Sequence, residues 1–297
     1  MEVLVRTTIT DAMLVSSTAP EDSTAEWVSG ATYAIGDLRW RATTHMVYER
    51  LTAGAGTTVP ELAKADWKAK RPTNRWAMFD SQMNTVTQVA SPLTVVLKPG
   101  NFNAVGAYGI QGATSVTVTV LDAPGGNVIR TWTSSLEESA PADWWEYWFM
   151  PFKPATDFVL SDIEPYVNAQ ITVTFTGPGT VGVAMLDVGD LRPMGDTQWG
   201  PESSPQDYSY VDIDSDGNNV VMKGKSAKDM SAVSEFDPGE ANRIDDTVHE
   251  LLGVPSMWIA SRAPEHRPLR CFGLGTGKVT FPDRTRARLS LSVKGLI

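Results

Sequence analysis

The sequence predicts a mainly β protein. It reads as a small three-stranded module, an antiparallel β-sandwich of jelly-roll type, and a C-terminal β-rich α+β region with one helix. Three observations carry this. Short runs alternate apolar and polar residues with period two. The runs stop at clusters of Gly, Pro, Asn and Asp. Helical periodicity is clear in one segment only.

Residues 1–24 read as an N-terminal arm, with Ser16-Ser17-Thr18-Ala19-Pro20 as its linker. Residues 25–71 form the small module, whose apolar mass is aromatic: Trp27, Tyr33, Trp40, Tyr48 and Trp67. Residues 72–192 hold the sandwich. Leu93-Thr94-Val95-Val96-Leu97 stops at Lys98-Pro99-Gly100. Ser115–Val120 alternates strictly and places its valines on one face. The turn cluster Asp122–Asn127 then leads into Val128–Trp132, which makes a hairpin. Ile171–Phe175 repeats the alternation and stops at Gly177-Pro178-Gly179, so 180–188 reads as its hairpin partner. The aromatic run Asp143–Phe149 is assigned to the sandwich core, with an exposed platform or a subunit interface as the alternative.

Residues 193–297 contain the helix. Ile244, Val248, Leu251 and Leu252 recur at helical spacing, Asp237-Pro238 fits an N-cap followed by N1, and Gly253 fits a stop. The chain ends on the strand-like Leu289–Val293.

Composition narrows the function classes. A net charge of −10 argues against sequence-independent nucleic-acid binding, which needs clustered Lys and Arg. The local exception is Arg284, Arg286 and Arg288, which period two would put on one strand face toward solvent or an acidic protein. No run approaches the ~20 apolar residues of a membrane-spanning helix. The first residues lack the pattern of a secretory leader, so folding in a cytoplasm is expected, without membrane insertion. The single cysteine, Cys271, excludes an internal disulfide and reads as a small buried residue.

Catalytic signatures are weak throughout. Asp212-Ile213-Asp214-Ser215-Asp216-Gly217 starts like a calcium loop, but Lys223 stands where the bidentate Glu belongs. Asp212, Asp214 and Asp216 are therefore a weak metal candidate, and a hairpin turning at Asp216-Gly217 fits better. Gly273-Leu274-Gly275-Thr276-Gly277-Lys278 lacks the fourth-position glycine spacing and the Ser/Thr of a phosphate loop, and reads as a turned or flexible loop. His45, His249 and His266 lack metal-ligand spacing. Adjacent carboxylates such as Glu137-Glu138 and Asp245-Asp246 do not face one another on a helix. The expectation is a noncatalytic protein without a cofactor.

Two resemblances add to this reading. Trp27, Tyr33, Gly36, Asp37, Leu38, Tyr48 and Trp67 fall as in the small chitin- and cellulose-binding modules of bacterial glycosidases. That likeness implies glycan binding through exposed aromatics, with Trp27, Tyr33, Trp40, Tyr48 and Trp67 as candidates. Those modules commonly carry an adjacent aromatic pair where this chain has Arg50-Leu51-Thr52-Ala53.

From about residue 75 onward the chain resembles a structural protein of tailed bacteriophages. The likeness rests on Trp76–Asp80, on Leu97–Gly100 leading to Asn103–Gly106, and on Trp144–Tyr147. The Asp207–Asn218 hairpin and the helix leading to Gly253–Trp258 add to it. It implies a noncatalytic virion component of the tail tip, baseplate or collar. Such a component forms a homo-oligomer or ring with other virion proteins, and the module would contact a host-surface glycan during attachment. A glycan-binding adhesion protein and a polysaccharide-degrading enzyme are the alternatives.

Overall fold

The computed structural model describes residues 1–136, 143–149, 154–213 and 218–296. The protein is mainly β, 49% strand against 9% helix, with antiparallel pairing dominant. It divides into two compact units. One comprises Thr8–Asp187; the other joins Met1–Thr7 to Val188–Ile297.

Within Thr8–Asp187, the sandwich strands follow their alternation. A five-stranded sheet runs in the order Val128–Ser135, Ser115–Leu121, Gln170–Thr176, Leu93–Leu97, Leu14–Ser17. Val116, Val118, Val120, Ile171, Val173, Phe175, Leu93, Val95 and Leu97 are all fully buried on one face. The partner layer includes Ala104–Tyr108 paired with Asp157–Leu160, and the Phe158 ring lies 5.9 Å from Phe175. The Ser115–Ser135 hairpin closes as expected. Asp122 accepts from the Asn127 backbone N–H at 2.8 Å, and Gly125 takes the left-handed conformation that the turn requires.

Two expectations differ. Thr180–Val183 does not pair with Gln170–Thr176, because both edges of that strand are already taken by Ser115–Leu121 and Leu93–Leu97. It pairs with Thr87–Ala90 instead. Leu14–Ser17, expected within an arm and linker, is an edge strand on Leu93–Leu97. An edge position needs only one ladder of backbone bonds, and it leaves Val15 exposed.

The other unit is built on a long sheet. Its order is 189–193, Glu2–Arg6, Ser256–Ile259, Arg270–Thr280, Ala287–Gly295 and Ser226–Phe236. Residues 2–6, also expected in the arm, are thus an interior strand, and Val3 and Leu4 are fully buried. The helix Ala241–Glu250 packs on this sheet through Ile244 and Val248. A single 3-10 turn, Pro238–Glu240, precedes it; there Asp237 accepts from the Gly239 N–H at 2.7 Å.

The glycine run 273–277 is a strand, not a loop. Period two points Gly273, Gly275 and Gly277 to one face. A side chain at Gly275 would enter the Trp258 ring, and one at Gly277 would meet Leu289 at 2.7 Å and Val248 at 3.3 Å. The glycines make room for a fully buried indole and for the helix.

Candidate functional site

The module is built on a four-stranded sheet. The three expected antiparallel strands, Leu38–Arg41, Met46–Arg50 and Trp67–Pro72, are joined by Ala25–Glu26, which runs parallel to the first. Its Tyr-x-x-Gly-Asp segment is a turn with mechanical content. Gly36 has φ +87°, and Asp37 Oδ2 accepts from the Ala34 N–H at 3.1 Å. The turn bonds to the second strand through Gly36 N–H to Arg50 O and Arg50 N–H to Asp37 O.

Four of the five glycan candidates form the core of this small sheet. Trp27, Tyr33, Tyr48 and Trp67 are between 2% and 7% exposed. Tyr33 and Trp67 meet edge to face at 5.1 Å. The Tyr33 hydroxyl donates to Val28 O at 2.7 Å and accepts from Val28 N–H at 2.9 Å. Arg39, Arg41 and Arg50 lie over the Tyr33, Trp27 and Trp67 rings at 4.9–5.3 Å. A stacking platform must offer a ring face to solvent, and these four rings offer theirs to one another and to arginines. Trp40 alone is half-exposed. A module of under fifty residues has few other side chains from which to build a core, which is why its aromatics turn inward.

A carboxylate pair fixes the ends of the module. Asp22, almost fully buried, accepts from Arg71 Nη1 and Nη2 at 2.6 and 3.0 Å, from Thr24 and from the Asn74 N–H. Burial pulls its carboxyl upward, but the bonds from Arg71 and Thr24 outweigh that and leave it lowered. Glu21 accepts from Thr73 and Arg75 and lies 3.0 Å from His45 Nδ1. The other His45 nitrogen lies 2.8 Å from Asp11, and the ring stacks on Trp76 at 4.1 Å. Both imidazole nitrogens thus face carboxylates.

The remaining chemical candidates have structural roles. Cys271 is buried, its thiol donates to Lys228 O, and desolvation pushes it up to about 11, which removes it as a nucleophile. Arg284 and Arg286 precede the strand Ala287–Gly295 rather than lying on it. Arg286 and Arg288 both donate to Glu235 at 2.6 Å and hold its carboxyl below the usual range. An acidic cleft of about 480 Å³ beside Glu235 is also lined by Glu2, Asp196, Asp237 and Glu240, and three of these are engaged. Glu2 is held by Arg262, Asp237 caps the 3-10 turn Pro238–Glu240, and Glu240 pairs with Arg243. Among the described residues no group of His, Cys, Asp and Glu could hold a metal ion. Asp214, Asp216 and Gly217 lie outside the described residues, as do Glu137 and Glu138; Asp212 is exposed on a strand. No described helix is long and apolar enough to cross a membrane.

What the described surface does carry is exposed apolar side chains. The aromatic helix Trp144–Phe149 is outside the core: Trp144, Trp145, Trp148 and Phe149 are each at least 61% exposed. The hairpin Tyr210–Ile213 with Asn219–Met222 buries none of its residues. Tyr210, Met222 and Val220 share one face, and Val211, Ile213 and Val221 share the other. Its base is pinned by Tyr208 N–H to Lys225 O and by Gly224 N–H to Ser209 Oγ. Trp199 is 99% exposed. Sequence reading missed Trp199 and the two-faced character of the hairpin. The available signals were a Trp beside Gly200-Pro201, and consecutive apolar residues at 210–211 and 220–222 in place of alternation.

No protein-family model matches the chain, and no curated protein matches it. Among solved structures it is similar to CpGH89CBM32-5, from Clostridium perfringens, in complex with GalNAc-beta-1,3-galactose. The identity is 14%, the match covers 38% of this chain and 81% of that one, and the TM-score is 0.27, a likeness too slight to bear on fold or function.

Proposed function

We propose that this chain is a noncatalytic structural subunit of a tailed-phage virion, a tail-tip, baseplate or collar component that assembles into an oligomer with other virion proteins. The observation that carries the assembly role is the strand pair Tyr210–Ile213 and Asn219–Met222, which carries apolar side chains on both faces and buries none of its residues. An isolated two-stranded hairpin is marginal in water. Two apolar faces on one hairpin are covered only when a neighbouring surface wraps it. The phage assignment rests on the ordered segments between Trp76 and Trp258 described above. In the acidic cleft, the ion pairs of Glu2, Glu235 and Glu240 and the cap made by Asp237 favour a structural role for these four carboxylates over acid–base chemistry.

The experiment is imaging of purified particles with an antibody raised against this chain. Label at one end of the tail, at a repeated radius, is the expected result. Absence of the chain from purified particles contradicts the proposal.

A second reading, adhesion to a host-surface polysaccharide, is favoured by an open cleft of about 550 Å³ in the module, lined by Leu51, Pro60, Glu61, Lys64 and Lys68 beside Trp67. Retention on a polysaccharide panel, lost in a Lys64→Ala/Lys68→Ala variant, would support it; no retention removes it.

A further inference from the structure

Residues 25–72 carry seven Lys and Arg against five Asp and Glu, a local positive excess in a chain whose net charge is −10. Five of the seven cations are paired. Arg39 meets Asp37 at 3.5 Å, Arg41 meets Glu61 at 3.3 Å, Arg50 meets Asp66 at 3.9 Å, Lys70 meets Glu49 at 2.9 Å and Arg71 meets Asp22 at 2.6 Å. Lys64 and Lys68 are left without an ion pair among the described residues, and both are exposed. Glu49 stands opposite Lys68 in the strand register, but its carboxylate is taken by Lys70. The two uncompensated cations both line the open cleft of about 550 Å³ beside Trp67.

The frame of that cleft is fixed by backbone bonds. Leu62 and Ala63 N–H donate to Val59 O at 3.0 and 3.1 Å, and Asp66 and Trp67 N–H both donate to Ala63 O at 2.9 Å, so the segment that carries Lys64 is a wound turn. Leu51 N–H donates to Asp66 O at 2.7 Å, which ties Leu51 to the turn. Lys68 follows on the strand Trp67–Pro72. The lining offers two kinds of contact. Leu51, which is 42% exposed, and Pro60 are aliphatic. Its one carboxylate, Glu61, is engaged by Arg41, so the free charge in the lining is positive. Clefts of roughly 300–1,000 Å³ take ligands of small-molecule size, a short run of sugar rings rather than the face of a folded protein.

Resting on the polysaccharide-adhesion reading above, we propose that this cleft binds an anionic saccharide, with the C–H face of a ring against Leu51 and Pro60 and its carboxylate or phosphate held by Lys64 and Lys68. The Trp67 and Tyr48 rings in the lining are only 2% and 6% exposed, so the cleft has no stacking platform for a neutral pyranose. Charge supplies what stacking does not. An ammonium donating to an oxyanion makes a charge-assisted hydrogen bond, stronger than a neutral one. Lys is a compact charge with rotatable donors, which suits carboxylate and phosphate alike. The attraction is local, because exposed charges are screened beyond about 8–10 Å at ordinary salt, and the negative remainder of the chain does not cancel it.

The test is retention of the full chain, over a concentration series, on beads carrying polygalacturonate, its methyl ester, a glycerol-phosphate teichoic acid or dextran. The methyl ester keeps the sugar chain of polygalacturonate and removes its charge; the teichoic acid separates phosphate from carboxylate. Retention is expected on an anionic probe and not on the methyl ester or dextran, and it is expected to weaken as salt is raised. Lys64→Gln/Lys68→Gln should lower affinity at least about tenfold, the worth of hydrogen bonds from charged groups, and Lys64→Arg/Lys68→Arg should keep it. Lys70→Gln removes the same charge outside the lining and should change affinity no more than about twofold, as exposed ion pairs are worth little. Unchanged thermal melts establish that the variants fold. Equal retention on the methyl ester or dextran overturns the inference and leaves the adhesion reading standing. So does binding unmoved by Lys64→Gln/Lys68→Gln, or lost equally in Lys70→Gln. No retention on either anionic probe also overturns it, while the neutral members of a wider panel decide the adhesion reading separately.

Discussion

In residues 25–72, Trp27, Tyr33, Tyr48 and Trp67 face one another and none is more than 7% exposed. In residues 197–225, Trp199 is 99% exposed, and Tyr210, Val211, Ile213 and Val221 are each at least 60% exposed. Both segments are short and rich in large apolar side chains. The difference is closure. The module has a four-stranded sheet, a second two-stranded pair and a turn that bonds back through Asp37 and Arg50, so its rings enclose one another. The edge segment has a four-residue loop and a hairpin of two short strands, a geometry with no second layer of its own. In the first segment aromatics supply stability; in the second they are surface available for association.

The largest effects are expected where the rings are enclosed. Trp67→Ala should cost about 3–5 kcal/mol, the usual range for a large aromatic removed from a core, read as a lowered denaturation midpoint. A loss under 1 kcal/mol would mean that the ring is not core, and the contrast between the two regions would fail.

The next effect concerns the clamp on the module. Asp22→Asn keeps the shape but removes the charge that holds Arg71, and about 1–3 kcal/mol of lost stability is expected. The same carboxylate gives a pH signature. Its folded value is lowered, so its contribution is complete above the ordinary aspartate range near pH ~4 and is lost as pH falls through the folded value. Wild type should therefore lose stability on acidification below about pH 4 more steeply than Asp22→Asn. Equal slopes, measured by denaturation at several pH values, would remove Asp22 from that role.

Smaller still is the expected effect of edge substitutions on the isolated fold. Val211→Asp with Val221→Asp should change stability by no more than about 0.5 kcal/mol, as surface changes do, while weakening association. The smallest signal is chemical. Cys271, with its thiol raised to about 11, should resist alkylation at pH 8 in the folded protein and react on unfolding. Rapid labelling of the native chain would show that the 271–228 contact opens.

The strands with strict alternation were legible because their pattern reflects one buried face: Ser115–Leu121 and Gln170–Thr176 stand where period two puts them. The helix over 241–250 was legible from Ile244 and Val248 and from the Asp237-Pro238 start. What stayed hidden depends on partners distant in sequence. Residues 2–6 pair with 189–193 and with 257–259, and no local signal separates such a strand from an arm. The glycines at 273, 275 and 277 looked like a loop because what they make room for comes from elsewhere in the chain: the Lys294 backbone, the Trp258 indole, and Leu289 with Val248. Arg286 and Arg288 looked like an open basic face until Glu235, some fifty residues away, was placed between them. The module's motif marked its turn, but the sheet has a fourth strand, Ala25–Glu26, beyond the three expected, and a motif of aromatics does not state which way the rings face.

The central claim is that the apolar surface of residues 208–213 and 219–222 is covered in an assembly rather than exposed to water. It is tested most directly by the solution mass of the full chain beside that of Val211→Asp/Val221→Asp, each in the presence of the other proteins of the purified particle. Wild type is expected in a complex of defined mass, and the variant is expected to remain folded but outside it. A variant that enters the complex as efficiently as wild type would contradict the claim.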